Sequence, residues 1–432
     1  MELVNSKIIC SIRNSWYITI LFMLIFGFQI ANVNTRYIAF ILCIISLLFE
    51  KRGISNLLHF LTKKYNFYLL VFLLLYYVLS ILIPIFHNTF DFTLALESFG
   101  VIIILGCVLV YAVVVSNCIR TEKQLLKSIF ITFILQSFIV ILCFFFPEFY
   151  GFIRNFQYDQ VASIADSYLS SGVARGLALS GDQFFGLSAV FGLVYILMGR
   201  YISYFNKYGS YFWFVLLIVG NFFIGRTGFL GVFFALLLLL FSKTNYLKLL
   251  RITKNLFICF VFVGFVYITL VPIDIKETFI NNVLPFAFEL FYNLDKGYGF
   301  SSASSDHLLQ MLNVPISPLE FLVGTGKFTN IDGSYYMNTD SGYMRQIFFG
   351  GVGYVIIAVT LFFSIFFASK SIFKKIYTDW NFCFLVSCII VYFLVLQVKG
   401  LTIFFSRETM ALLFYYLIMM NKINCFNYLK SE

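Results

Sequence analysis

Long apolar stretches alternate with short polar segments along almost the whole chain. A helix that crosses a bilayer needs about 20 consecutive, mostly apolar residues. The pattern therefore predicts twelve transmembrane helices, of which 37–49, 210–224 and 228–242 are short for a complete crossing. The predicted spans are residues 15–31, 37–49, 66–86, 99–117, 128–146, 183–200, 210–224, 228–242, 255–272, 347–368, 380–398 and 403–420.

Two long polar intervals interrupt this alternation, at residues 147–182 and 273–346. Both mix aromatic residues with Gly, Asp and Ser, and neither has the Ser- and Pro-rich composition of a disordered linker. Long loops that are not disordered are usually functional. We predict two folded loops on the outer side of a single membrane domain that comprises residues 1–432.

The composition agrees with this pattern. Hydrophobic residues make up 61% of the chain and charged residues 12%, and the mean hydropathy is +0.92. Soluble domains have about 45–50% apolar and about 25% charged residues. A water-soluble fold is therefore excluded, and we predict an all-α, polytopic membrane protein.

The basic residues are distributed unevenly over the two sides of the predicted membrane domain. If both termini are cytoplasmic, the inner segments hold twenty of the thirty Lys and Arg residues but only five of the twenty Asp and Glu residues. Cytoplasmic segments of membrane proteins carry such an excess of Lys and Arg. The net charge of +10 thus reports topology. We predict an even number of spans and no nucleic-acid partner.

The cysteines indicate neither a metal site nor a disulfide framework. All nine lie in predicted spans or in predicted cytoplasmic segments. No CxxC pair and no Cys/His spacing typical of zinc occurs. We expect no metal and no cofactor.

Arg226 is a first candidate for chemistry, because a charge near the bilayer usually has a partner or a task. It lies in the very short turn between the predicted spans 210–224 and 228–242. Its guanidinium would lie at the height of lipid phosphates, to which arginine donates two parallel hydrogen bonds. A structural role is equally compatible with this position, since the side chain could reach lipid headgroups or cap the turn.

Arg175 and Asp182 lie just before the span 183–200, in a stretch that contains several glycines. Glycine allows a backbone to approach a ligand closely. Both the binding of an anion by Arg175 and a structural ion pair between the two residues fit this pattern.

The large loop carries its candidates at the end next to the membrane, where Lys327, Asp340 and Arg345 lie. The Gly-Thr-Gly turn before Lys327 lacks the GxxxxGK[ST] spacing of a phosphate-binding loop. His307 lies farther back, and a single His in a polar loop is more often a surface residue than a catalytic one.

Lys399, Arg407 and Glu408 flank the last outer turn, where a structural ion pair between neighbours is the simpler interpretation. Several arginines and a few carboxylates at headgroup height suit an anionic lipid carrier whose head bears sugars. Arginines would neutralise a leaving pyrophosphate, and a carboxylate would accept a proton from an attacking hydroxyl.

Three short elements carry a resemblance to a known family. They are Arg175 followed ten residues later by Gly186, the turn Gly225-Arg226-Thr227-Gly228, and the series Leu322–Gly326, Asp340–Tyr343 and Phe349–Gly353. With the predicted topology, the chain resembles the bacterial O-antigen polymerases (Wzy-type), which share their architecture with O-antigen ligases.

The resemblance implies a glycosyltransferase of the bacterial inner membrane, active in lipopolysaccharide biosynthesis. A growing glycan on undecaprenyl pyrophosphate would be transferred, on the periplasmic face, to the terminal sugar of a lipid-linked repeat unit. Membrane lipids, a chain-length regulator and a flippase of the same pathway are implied as partners. The implied substrate-binding residues are Arg175, Arg226, Arg345, Lys327 and His307, and the implied catalytic residues are Asp340 and, behind it, Asp182.

The sequence departs from the family pattern in two places. Ile356 stands where a second Arg-x10-Gly motif would place glycine after Arg345, so a mechanism with two such motifs does not transfer directly. The ligase signature after His307 is missing, since Leu308 follows, and this favours a polymerase. The alternatives are an O-antigen ligase, which transfers glycan to the lipid A core, and a flippase or other transporter, which needs charged or broken helices at the membrane midplane.

Overall fold

The computed structural model describes residues 15–50, 53–170, 175–182, 184–202, 208–241, 246–271, 273–287, 289–296 and 303–429. These residues are almost entirely helical. A short hairpin of β1 (Gln29–Ile30) and β2 (Val33–Asn34) pairs antiparallel.

The helices of the first half include those before, within and after the first long loop. They are α1 (Ser15–Phe26), α2 (Thr35–Phe49), α3 (Gly53–Leu61), α4 (Lys64–Phe86), α5 (Thr93–Val115), α6 (Glu122–Phe145), α7 (Pro147–Arg154), α8 (Asp159–Ser170), α9 (Phe185–Ile202), α10 (Tyr208–Phe222) and α11 (Gly228–Phe241).

The second half contains the large loop, which includes a π-helical turn at Phe279–Val283 and a 3-10 turn at Tyr336–Asn338. The α-helices of the second half are α12 (Tyr246–Leu270), α13 (Ile273–Thr278), α14 (Leu284–Ala287), α15 (Glu289–Asp295), α16 (Ala303–Leu312), α17 (Pro318–Val323), α18 (Gly342–Phe367), α19 (Lys370–Thr378), α20 (Trp380–Lys399) and α21 (Arg407–Leu429).

Seven helices within the described ranges are long and apolar enough to cross a membrane: α4, α5, α6, α9, α12, α18 and α20. The apolar helices α1, α2, α10 and α11 are shorter. The prediction of a helical, multi-pass membrane protein is thereby confirmed, while the number of twelve spans stays a prediction. Both predicted loops contain helices of their own.

The first span ends earlier than predicted. Helix α1 stops at Phe26, and Gly27 adopts a left-handed conformation with φ +53° before the β-hairpin. A Cβ at this position would lie 2.2 Å from Cζ of Arg36. Only glycine both turns the chain here and leaves room for the guanidinium.

Arg36 and Glu408 form a buried ion pair that joins α2 to the start of α21. Their side chains are 8% and 1% exposed. Arg36 also donates to the carbonyls of Leu24, at 3.2 Å, and Ile25, at 3.0 Å, at the end of α1. The guanidinium thus satisfies helix-end carbonyls together with its carboxylate partner.

The expected ion pair between the neighbours Arg407 and Glu408 is not formed. Arg407 Nη2 instead lies 2.7 Å from Glu97 Oε2 on α5. Adjacent residues of a helix point in directions about 100° apart, so each of the two charges finds its partner on a different helix.

Helix α9 is the buried centre of the bundle and packs closely on α11. A Cβ at Gly231 would lie 2.1 Å from the carbonyl oxygen of Gly192, and one at Gly199 would lie 3.1 Å from Cα of Ala235. Small residues let two membrane helices approach backbone to backbone. Tyr392 of α20 donates to the carbonyl of Ala189, at 2.7 Å, and so fixes α20 against the same helix.

Helix α18 is broken inside the predicted membrane region. Gly350 and Gly351 leave the helical conformation, and Gly351 has φ +71°. The break releases the carbonyl oxygens of Phe348 and Phe349. Thr325 donates to Phe348 through its amide, at 2.6 Å, and its hydroxyl, at 2.9 Å, and Gly326 donates to Phe349, at 2.9 Å. The loop segment after α17 therefore completes the hydrogen bonds that the broken helix lacks.

Asp91, in the loop between α4 and α5, holds this loop segment from the other side. Its Oδ2 accepts from the amides of Phe328 and Thr329, both at 2.7 Å. Burial by itself raises the pKa of Asp91, but the hydrogen bonds from Thr329, Phe328 and Thr93 outweigh it and lower the pKa below its ordinary value. The stabilisation is therefore present above the ordinary carboxyl pKa and is lost as the pH falls through the lowered pKa.

The opposite end of the bundle is joined by a network of four charges. Arg200 of α9 lies 3.3 Å from Glu122 and 2.8 Å from Asp379, and Lys375 lies 3.0 Å from Glu122. The network links α6, α9, α19 and the start of α20.

We predict that Asp91→Asn loosens the loop around Lys327, because the amide replaces charge-assisted hydrogen bonds by weaker ones. Lys327 is exposed and offers trypsin a cleavage site. Cleavage after Lys327 at neutral pH should become about tenfold faster, the factor that corresponds to about 1.4 kcal/mol. The rate is read by mass spectrometry of limited digests of the detergent-solubilised protein.

The matched control is Asp332→Asn in the same loop, because Asp332 bonds only to the nearby Ser334, at 2.9 and 2.6 Å. It should leave the cleavage rate after Lys327 unchanged. Equal rates in wild type and Asp91→Asn would show that Asp91 does not hold the loop.

Candidate functional site

A cavity of about 400 Å³ opens where α9 begins, α10 turns into α11 and α20 ends. Parts of both long loops contribute to it, through α8 and α16. Its described lining residues are Tyr168, Arg175, Phe184, Phe185, Ser188, Gly225, Arg226, Thr227, His307, Leu308, Met311, Asp340 and Lys399.

The turn between α10 and α11 forms one wall of the cavity. Ser188 of α9 donates to the carbonyl of Gly225, at 2.9 Å, and accepts from the amide of Gly228, at 2.7 Å. The turn is thus bound to the central helix on both of its arms. Arg226, at its tip, pairs with Glu289 of α15, and their side chains are 24% and 22% exposed. The local sequence therefore aims a partly accessible guanidinium at the cavity.

Arg175 enters the cavity from the chain between α8 and α9. Its guanidinium carbon lies 5.0 Å from the ring centre of Tyr168 and 5.3 Å from that of Phe184. Its Nη2 points to the carbonyl of Ile224, at 3.4 Å, beside the Arg226 turn. Burial, and secondarily the positive charge of Arg226, lowers the pKa of Arg175 below its ordinary value. An anion between the two guanidinium groups would relieve this repulsion.

Lys399 is a third cation of the cavity and was expected to be structural. It is the last residue of α20, and its Nζ donates to the hydroxyl of Thr227, at 3.1 Å. Arg226 and Arg175 are near enough to act on it electrostatically. A lone lysine at the outer end of an apolar span was the available signal, since such a charge usually has a task.

Asp340 is the one carboxylate among the described lining residues. It is exposed, and its position is set by α16, because the amide of Asp340 donates to Sδ of Met311, at 3.4 Å. Thr339 likewise donates to the Met311 carbonyl, at 3.3 Å. His307 lies one turn earlier on α16 and lines the same cavity.

The structure thus brings together four of the seven predicted site residues, Arg175, Arg226, His307 and Asp340. Lys327 is not among the described lining residues; it is exposed, with Nζ 5.7 Å from the ring centre of Tyr336.

Asp182 also lies outside the described lining, three residues before α9 begins. A Cβ at Gly186 would lie 1.7 Å from Asp182 Oδ2. Glycine is therefore needed at the end of the Arg-x10-Gly motif to make room for this carboxylate, while Arg175 at the start of the motif reaches the cavity.

Arg345 lies apart from the described cavity lining, in a cage of aromatic rings at the first turn of α18. Its guanidinium carbon is 3.5 Å from the ring centre of Tyr335, 4.0 Å from that of Phe328 and 5.4 Å from that of Phe405. Only 4% of the residue is exposed. Although Arg345 follows Asp340 by only five residues, its side chain lies among aromatic rings, whereas Asp340 lines the cavity.

The arrangement suits an anionic ligand. Three cations from three different parts of the chain converge on a volume that contains one carboxylate and one imidazole. Arginine binds phosphate with two parallel hydrogen bonds, and lysine adds a compact point charge. Comparisons of the chain with protein-family models, with curated proteins and with solved structures found no match.

We predict that inorganic pyrophosphate raises the unfolding temperature of the purified protein, because it neutralises the repulsion between the three cations. Arg226→Ala or Lys399→Ala should weaken this binding about tenfold each, since hydrogen bonds to charged groups are lost. Thermal unfolding in detergent at increasing pyrophosphate concentrations measures the effect.

Arg154→Ala is the matched control, because Arg154 lies on α7 and forms an exposed ion pair with Asp166 outside the cavity. Its binding should equal that of wild type. If all four proteins respond alike to pyrophosphate, the anion binds elsewhere.

Proposed function

We propose that this chain is a membrane glycosyltransferase of the O-antigen polymerase type. It would lengthen a surface polysaccharide by transferring a glycan from undecaprenyl pyrophosphate to a lipid-linked repeat unit. The observation that carries the proposal is the cavity in which Arg175, Arg226 and Lys399 face Asp340. A diphosphate leaving group needs the cations, and the attacking hydroxyl needs a base.

The proposed topology has twelve spans with both termini in the cytoplasm. In its support, apolar helices follow one another along the chain from α1 to α20, and residues of the two acid-rich loops line the cavity. The excess of Lys and Arg at the opposite ends favours the cytoplasm for that side. The cavity would then open on the periplasmic face of a bacterial inner membrane, at the height of lipid phosphates.

In the proposed reaction, the acceptor hydroxyl of the repeat unit attacks the anomeric carbon of the donor glycan. The new glycosidic C–O bond forms as the bond between that carbon and the phosphate oxygen breaks. Undecaprenyl pyrophosphate leaves with the electron pair of the broken bond. Asp340 accepts the proton of the hydroxyl, and Arg175, Arg226 and Lys399 stabilise the charge that develops on the diphosphate.

The pair of Arg226 with Glu289 is compatible with this role. Both groups are partly exposed, so an entering diphosphate can share or replace the carboxylate. His307, on the opposite wall, is placed to donate a hydrogen bond to the diphosphate or to a sugar hydroxyl. Membrane lipids, a chain-length regulator and a flippase of the same pathway are the proposed partners.

A transporter is the candidate of a different class, and one observation bears on it. Transporters use broken helices whose free carbonyls coordinate ions. Helix α18 is broken, but the carbonyls of Phe348 and Phe349 accept from Thr325 and Gly326. The break therefore anchors a loop in this protein, which favours the polymerase.

We predict that Arg175→Ala and Arg226→Ala abolish chain extension in a deletion strain while Arg154→Ala restores it. The two cavity arginines contact the leaving group in the proposed mechanism, whereas Arg154 does not reach the cavity. Gel profiles of the surface polysaccharide, with membrane insertion checked on immunoblots, measure the outcome. Wild-type chain lengths in both cavity variants would refute the site.

The profile of the deletion strain distinguishes the polymerase from the ligase. Loss of a polymerase leaves surface lipid capped with a single repeat, whereas loss of a ligase leaves no repeat attached. Lengthening of lipid-linked repeats by the purified protein in detergent, where no compartments exist, would separate the polymerase from a transporter.

We predict that Asp340→Asn slows this lengthening by about 10²–10⁴-fold, the usual contribution of general base catalysis. Asp182→Asn should keep most of the activity, because Asp182 lies outside the described lining. Rates are measured with purified protein and lipid-linked repeats. If Asp182→Asn slows the lengthening more than Asp340→Asn does, Asp182 is the base.

A further inference from the structure

Arg345 keeps one edge of its guanidinium without a partner. Its Nε and Nη2 are buried and make no hydrogen bond, although only 4% of the residue is exposed. These two nitrogens form the side of the fork that donates two parallel N–H bonds to one planar acceptor. The rings of Tyr335 and Phe328 cover the two faces of the guanidinium, but Nε and Nη2 stay without an acceptor.

Two further buried groups without partners lie at the same helix end. Ser341 is fully buried, and its hydroxyl makes no hydrogen bond at the N-terminus of α18, one turn before Arg345. Gln397 Nε2 is also unbonded, and a Cβ at Gly342 would lie 2.9 Å from Cδ of Gln397. Residues four apart share one face of a helix. We call the surroundings of Arg345, Ser341 and Gln397 the Arg345 pocket; each of the three side chains has a buried donor that lacks an acceptor.

Unpaired buried donors are costly, and a buried cation more so. Cation–π contacts offset part of this cost for Arg345. The partial positive charge of a helix N-terminus adds to the field of the guanidinium. All these contributions favour one negatively charged, planar oxygen acceptor.

We propose that this pocket binds the carboxylate of an acidic sugar, such as a uronic acid, in the glycan that the enzyme extends. The inference rests on the proposed function, since it presupposes a glycan substrate. It goes beyond that function because it assigns a chemical class to the repeat unit and a specificity-determining role to Arg345.

The charge balance favours a carboxylate over a phosphate. The pocket holds one cation, Arg345, and Asp340 already acts on it electrostatically. A singly charged carboxylate is balanced by one guanidinium, whereas a phosphate dianion would leave an excess negative charge beside Asp340. The cavity with Arg175, Arg226 and Lys399 is the better site for a diphosphate.

A small hairpin carries Tyr335, one of the rings that cover Arg345. Thr329 and Tyr335 pair across it, and the amide of Asn330 donates to the carbonyl of Ser334, at 2.8 Å. Asp91 ties down the first strand through Phe328 and Thr329, but Tyr335 on the second strand is 39% exposed. Displacement of Tyr335 alone would admit a sugar carboxylate to Arg345. Asp340 lines the cavity and also acts electrostatically on Arg345, so the acidic sugar would be a residue close to the reacting one.

The test measures the binding of glucuronate, glucose and inorganic phosphate to the purified full chain by isothermal titration. Arg226→Ala serves as the background, because it weakens anion binding in the cavity. In this background we expect glucuronate to bind and glucose, its neutral counterpart, not to bind. Arg345→Lys in the same background should weaken glucuronate binding about tenfold, since lysine keeps the charge but loses the two-bond edge.

A second variant keeps the test valid if Arg345→Lys does not fold. Tyr335→Ala, on the exposed hairpin, removes the cover and should speed the association of glucuronate. Stopped-flow measurement of competition with a fluorescent uronate reports this rate.

Equal binding of glucuronate and glucose would overturn the proposal. Phosphate binding as tight as that of glucuronate in the Arg226→Ala background would overturn the carboxylate assignment. If pyrophosphate competes with glucuronate in wild type and Arg226→Ala loses glucuronate binding, then glucuronate binds in the cavity and not in the Arg345 pocket. These binding assays need no turnover. The polymerase proposal is therefore tested by the lengthening assay, and the proposal for the Arg345 pocket is tested independently by glucuronate binding.

Discussion

The satisfaction of backbone groups at the break in α18 is the constraint on which the cavity end of the structure depends. A carbonyl without a partner is costly in an apolar medium, and such irregular backbone is tolerated only where protein or water completes it. Thr325 and Gly326 complete it here, so the chain after α17 must run against the break. Asp91 holds the same segment from the loop between α4 and α5. The segment from Thr325 to Thr329 is thereby held between α18 and the loop that joins α4 to α5.

A second constraint is the balance of charge at this end of the bundle. Arg36 and Glu408 are almost fully buried and neutralise each other, while Arg407 pairs with Glu97. These pairs join helices and leave no charge for a ligand. The cavity differs, because its three cations Arg175, Arg226 and Lys399 outnumber the carboxylates, namely Asp340 in the lining and Glu289, which pairs with Arg226. The excess positive charge distinguishes a binding site from a structural ion-pair network.

The cavity and the Arg345 pocket suit two different kinds of anion. Several partly exposed cations suit a multiply charged diphosphate, which keeps part of its hydration. A single caged guanidinium suits a singly charged carboxylate that is fully desolvated. Because Asp340 lies between them, the same carboxylate can influence both sites. One loop segment thus connects the proposed chemistry with the proposed selection of the sugar.

Apolar periodicity and charge distribution were enough to predict a helical membrane protein and to select Arg175, Arg226, His307 and Asp340, which line one cavity. These properties are local or additive along the chain, because hydrophobic burial depends on a segment's own composition. The tertiary structure alone decided which charges meet. It brought Lys399 into the cavity, enclosed Arg345 in aromatic rings and gave Arg407 and Glu408 different partners. Such contacts join residues that are far apart in sequence, and their geometry follows from helix packing that no local pattern encodes.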